Sequence, residues 1–71
     1  MADDDLVRDS RKIAEYFEPY GEDEAMAGVL GHLRQFWEPR MRERLVHIHA
    51  QTPELLHPAV RCAAARLAAM E

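Results

Sequence analysis

Pro39 limits this chain more than any other residue. It closes the run Phe36-Trp37-Glu38-Pro39, two residues after a pair of adjacent aromatics, and Arg40-Met41 follow. Proline donates no backbone N–H, and it drives the residue before it, Glu38, out of the helical region. An apolar helical pattern must therefore stop here. It can restart at once, because proline is favoured in the first turn of a helix. The outcome is a fixed corner that carries the chain's only tryptophan.

The other prolines divide the rest in the same way. Residues 4–18 read as a first helix, with Leu6, Ile13 and Phe17 on one face at about 100° per residue and Ser10 between them. Asp3, Asp4 and Asp5 fall at its positive end, where carboxylates are mildly stabilising. They are expected to be a solvated capping segment, with a patch for a metal or a basic partner as the alternative. Pro19 and Gly21 make the turn. Residues 22–37 read as a second helix with Met26, Val29, Leu30, Leu33 and Trp37 in one stripe and Phe36 beside it. Gly28 and Gly31 are expected to project away from that stripe, as a surface for another chain or as a plain solvent face. Each costs roughly 1 kcal/mol against alanine in a helix.

Residues 39–50 read as a third helix with Met41, Leu45 and Ile48 inward. Arg40, Arg42 and Arg44 spread around it, which suits separate ion pairs better than a phosphate-binding face. Thr52-Pro53-Glu54 has the form of a helix start, with Thr52 as N-cap, but His57-Pro58 cuts it to a single turn over 53–57. Residues 58–70 read as a fourth helix with Val60, Ala63, Ala64 and Leu67 inward. No convincing strand, repeat or low-complexity linker interrupts the pattern. The expected fold is all-α: a small bundle of three to four short helices packed as antiparallel neighbours, with residues 1–71 as one domain.

A chain of 71 residues has a thin core, and one cysteine, Cys62, rules out an internal disulfide. A lone cysteine fits a reducing cytosol. The net charge is −4, and Asp3–Asp5 with Glu22–Glu24 supply six of the thirteen carboxylates. Net acidity disfavours non-specific nucleic-acid binding, which depends on neutralising phosphates. The first residues lack the basic and apolar regions of a signal peptide, and no apolar run approaches the ~20 residues that span a bilayer. The expectation is a soluble cytoplasmic protein without membrane contact.

Chemistry is scarce. A helical metal pair needs histidines three or four apart. His47 and His49 are two apart and diverge by about 200°, and His32 and His57 have no ligand-type neighbour at a useful spacing. Nothing places Cys62 beside a base, and no phosphate loop, Cys-x-x-Cys or nucleophile elbow occurs. No catalytic, cofactor-binding or metal-ligating residue is expected in this chain. What remains is interaction. Phe36, Trp37, Glu38, Arg40 and Met41 have the aromatic and arginine composition of an interface hot spot, with Trp37 open to a second reading as the largest core residue. Tyr16 and Tyr20 are further interface candidates.

The run Leu33-Arg34-Gln35-Phe36-Trp37-Glu38-Pro39-Arg40-Met41-Arg42 resembles the delta subunits of cytoplasmic NAD-dependent formate dehydrogenases. The likeness is most specific over 29–45. It extends more loosely to Leu6, Arg8, Ile13, Ala14 and Phe17 and to Val60-Arg61 and Leu67, and it departs at Asp9-Ser10, where an apolar pair is expected. The resemblance implies a soluble enzyme that oxidises formate to CO2 and reduces NAD, with the reverse reaction left open. Its catalytic alpha subunit carries a molybdenum or tungsten bis-pterin guanine dinucleotide (bis-MGD) cofactor and Fe–S clusters, and beta and gamma subunits carry FMN and further clusters. This chain is implied to bind none of them. Its implied part is a non-catalytic accessory subunit that stabilises the large subunit or its cofactor. A transient chaperone of cofactor insertion is the near alternative. A small DNA-binding regulator, reading with the third helix, is the distant one.

Overall fold

The computed structural model describes residues 2–70. It contains four α-helices: α1 (Asp3–Phe17), α2 (Glu22–Phe36), α3 (Pro39–Gln51) and α4 (Pro58–Met70). Short 3-10 helices at Glu18–Tyr20 and Pro53–Leu55 join α1 to α2 and α3 to α4. No strand occurs among the described residues. The fold is the expected small all-α bundle.

Each break has a local cause. Pro19 sits early in the first 3-10 helix, and Gly21 follows at φ 99°, a conformation that side chains other than glycine rarely adopt. Trp37 and Glu38 are both extended, with φ/ψ of −89°/141° and −68°/152°, as Pro39 requires of its predecessor. Pro39 and Pro58 then open α3 and α4.

The packing order departs from the chain order. α2 packs on α1 and on α4, while α3 packs on α4 and on α1, so α2 and α3 are not close neighbours despite the two-residue link between them. Extended Trp37 and Glu38 turn the chain away from α2 before α3 begins. The expectation that successive helices pack side by side is corrected at this step.

The core runs through the middle of the four helices: Leu6 and Ala14 from α1, Val29 and Leu33 from α2, Leu45 and Ile48 from α3, and Val60, Ala63 and Leu67 from α4, with Trp37 and Leu56 from the connections. All four residues expected to face inward from the last helix do so. In α1 the buried line is Leu6, Ser10 and Ala14, while Ile13 and Phe17 flank it, half-buried. Small Ser10 and Ala14 let neighbouring helices approach. Buried Ser10 is satisfied by donating its hydroxyl to the Val7 carbonyl at 2.9 Å.

Two further expectations are corrected. Gly28 does not face solvent: a Cβ built there would lie 2.6 Å from Cγ and Cδ1 of Phe17, so α1 and α2 touch at this glycine. Gly31, by contrast, has open space around it. Thr52 makes no side-chain cap for the turn after it; its hydroxyl bonds back to the Ile48 carbonyl at 3.3 Å, at the end of α3.

Candidate interaction surface

The corner after α2 separates its two aromatics. Phe36, the last residue of α2, is 65% exposed, whereas Trp37, one residue on and already extended, is 8% exposed and belongs to the core. A helix end explains the difference, because the change from helical to extended backbone reverses where the next side chain points. The Phe36 ring rests on His32, four residues earlier, with centroids 4.8 Å apart. Glu38 and Arg40 are exposed, and Met41 is half-buried against the core. Of the five corner residues, the structure thus brings Phe36, Glu38 and Arg40 to the surface above Trp37 and Met41. Tyr16 and Tyr20 are exposed beside Phe17 at the far end of α1, with ring centroids 5.0 and 6.3 Å from it.

The corner is braced from below. Arg42 Nη1 donates to the Trp37 carbonyl and, at 3.3 and 3.4 Å, to the carbonyls of Leu33 and Arg34. The Leu33 carbonyl also accepts the Trp37 N–H at 3.2 Å, the Arg34 carbonyl lies in the last turn, where helical partners run out, and a cation there is favoured by the helix dipole. Arg42→Ala is expected to lower stability by about 1 kcal/mol, read by urea unfolding. An unchanged midpoint would show that water replaces the guanidinium without loss.

Arg44 ties α3 to the start of α1. Its Nε and Nη2 donate to both carboxylate oxygens of Asp3 at 2.7 and 2.8 Å. The hydrogen bonds from Arg44 hold the Asp3 carboxyl below its ordinary pKa, and Asp3 raises that of Arg44 in turn. The aspartate run thus acts partly as a tie between α1 and α3. The sign follows from linkage: a carboxyl with a depressed folded pKa adds stability that is fully present above its unfolded pKa and is lost as pH falls through the folded one. The gap in stability between the native chain and Asp3→Asn should be constant from neutral pH to about pH 4 and close below it. A pH series of thermal midpoints reads this, and a gap that persists in strong acid would contradict it.

Arg42 and Arg44 therefore serve contacts within the chain, and Arg40, exposed, is the one of the three without a side-chain hydrogen bond or ion pair among the described residues. Sequence reasoning had no way to see which arginine would turn inward. It also missed His57. The His57 carbonyl accepts the Arg61 N–H at 2.9 Å and its ring Nδ1 accepts the Ala59 N–H at 3.1 Å, so His57 caps α4. Its Nε2 then carries the proton and donates to Glu18 at 2.7 Å. Pro58 at the first helical position was the signal for such a cap. Among the described residues no three His, Cys, Asp or Glu side chains converge to hold a metal, and no helix is long and apolar enough to cross a membrane.

A family model described as NADH-dependant formate dehydrogenase delta subunit FdsD matches residues 5–64. The chain belongs to this family. The match runs from the start of α1 through Ala64 in α4 and takes in the whole corner. It agrees with the resemblance carried by Leu33–Arg42. The delta-subunit family name places the chain in a multi-subunit formate dehydrogenase. No curated protein and no solved structure matches it.

Proposed function

We propose that this delta-subunit chain is a non-catalytic accessory subunit of a soluble NAD-dependent formate dehydrogenase, docked through its aromatic corner on the catalytic large subunit and stabilising that subunit or its cofactor. The reaction it supports is formate oxidation: formate gives CO2, one proton and two electrons, and NAD takes up two electrons and a proton. The redox groups, a molybdenum or tungsten bis-pterin cofactor, Fe–S clusters and FMN, are assigned to the other subunits.

The observation that carries the docking reading is the exposure of Phe36 next in the chain to buried Trp37. The corner is rigid, because Pro39 and Arg42 fix its backbone, and it presents a large apolar ring in water. Covering a phenylalanine side chain yields about 1.5–3 kcal/mol, and exposed Arg40 beside it is a residue type over-represented in hot spots.

The test is recovery of partner subunits by the tagged chain from its native host, compared with Phe36→Ala and Arg40→Ala. Both variants should keep the thermal midpoint, since neither side chain is in the core. Both should recover less of the large subunit, with Phe36→Ala losing at least about tenfold. Undiminished recovery by both variants would remove the corner from the interface. Recovery only with inactive, cofactor-poor large subunit would make the chain an assembly chaperone instead.

A further inference from the structure

We infer that a second docking site lies at the opposite end of α2 from the corner, and that it takes an apolar segment of a partner subunit carrying a lysine or arginine. The inference rests on the accessory-subunit reading. The site is an open groove of about 630 Å³ between the start of α2 and one side of α4. Met26, Ala59, Cys62 and Ala65 supply its apolar lining. Three of these four are small, so an incoming segment can approach the α4 backbone closely.

Charge selects the occupant. Glu18, Glu22 and Asp23 stand on the groove against a single arginine, Arg66. Among the described residues Glu18 is met by His57 Nε2 at 2.7 Å, while Glu22 and Asp23 have no such partner. The groove therefore has an apolar floor and a net negative rim. An apolar segment with a cationic side chain placed beside α2 satisfies both.

Size points the same way. A stable interface covers about 800 Å² and 20–30 residues on each side. The chain exposes 4680 Å² in all, and the corner contributes four exposed residues, Phe36, Glu38, Pro39 and Arg40. The fifteen residues of α2 put the groove about 20 Å from the corner, so the two sites are separate regions of contact.

Cys62, the chain's single cysteine, lies in the groove and is exposed, which gives a direct readout. The native complex is isolated through the tagged chain, and Cys62 labelling by a maleimide is timed in the complex and in the free chain. Labelling should be at least about tenfold slower in the complex. Ala65→Trp, at an exposed helix position, should fill the groove and reduce partner recovery at unchanged helix content. Glu22→Gln with Asp23→Asn should reduce it further at low salt than at high salt. If Cys62 in the intact complex labels at the free-chain rate, the groove is open and the inference fails, while the subunit assignment stands. If the tagged chain recovers no formate dehydrogenase subunit, that assignment fails and the groove proposal with it.

Discussion

Trp37→Ala should lower the unfolding free energy by about 3–5 kcal/mol. Trp37 is 8% exposed and packs within the cluster that joins all four helices. It lies outside any helix, so alanine gains nothing there in helix propensity. The whole stability of a domain this size is roughly 4–11 kcal/mol, scaled per residue. The substitution should therefore remove between about a quarter and all of that stability. Denaturant unfolding of purified protein measures it directly. A loss below about 1 kcal/mol would mean that the corner carries its tryptophan for a partner and not for the core. Phe36→Ala is the matched control, expected to stay within about 0.5 kcal/mol of the native chain.

The second large effect is a change of sign between two glycines three residues apart. Both Gly28 and Gly31 are inside α2, where alanine is better by roughly 1 kcal/mol. At Gly31 nothing lies within 4 Å of the added Cβ, so Gly31→Ala should stabilise by about that amount. At Gly28 the new carbon would meet Cγ and Cδ1 of Phe17 at 2.6 Å. Those ring atoms are close to the Phe17 backbone and cannot swing aside without the ring leaving its place. Overpacking of this kind costs about 1–3 kcal/mol, which exceeds the propensity gain. Gly28→Ala should therefore destabilise by roughly 1–2 kcal/mol, and in a Phe17→Ala background it should become stabilising. Thermal or denaturant unfolding of the two single variants and the double variant checks this. Equal effects at Gly28 and Gly31 would contradict the close approach of α1 and α2.

These two residues also show where the sequence could be read and where it could not. Trp37 was assigned to the α2 stripe by helical angle, yet Pro39 ends the helix before it, so its angle on that stripe has no meaning. Without Trp37 the stripe centres on Ala25, Val29 and Leu33, and Gly28 moves to the flank where α1 lies. In α4 no such break intervenes, and its four inward residues follow from period alone. Leu55 and Leu56 sit in an irregular connection with no period to choose between them; Leu56 is buried and Leu55 is exposed. The Asp3–Arg44 tie spans 41 positions, and only the packed fold brings its ends together. At the corner, the break and its composition were legible because they depend on Pro39. The split between outward Phe36 and inward Trp37 depends on the backbone turning extended at one residue. The groove beside α4 left no sequence signal, since its residues come from two stretches far apart in the chain, 18–26 and 57–66.

The central claim is that this chain is a lasting part of a formate dehydrogenase. The most direct test is native mass analysis of the enzyme isolated from its host through the large subunit, with formate-dependent NADH formation assayed on the same fractions. The account predicts one delta-subunit chain for each large subunit in the fractions that oxidise formate. Active fractions without the chain, with the chain confined to inactive and cofactor-poor large subunit, would contradict it.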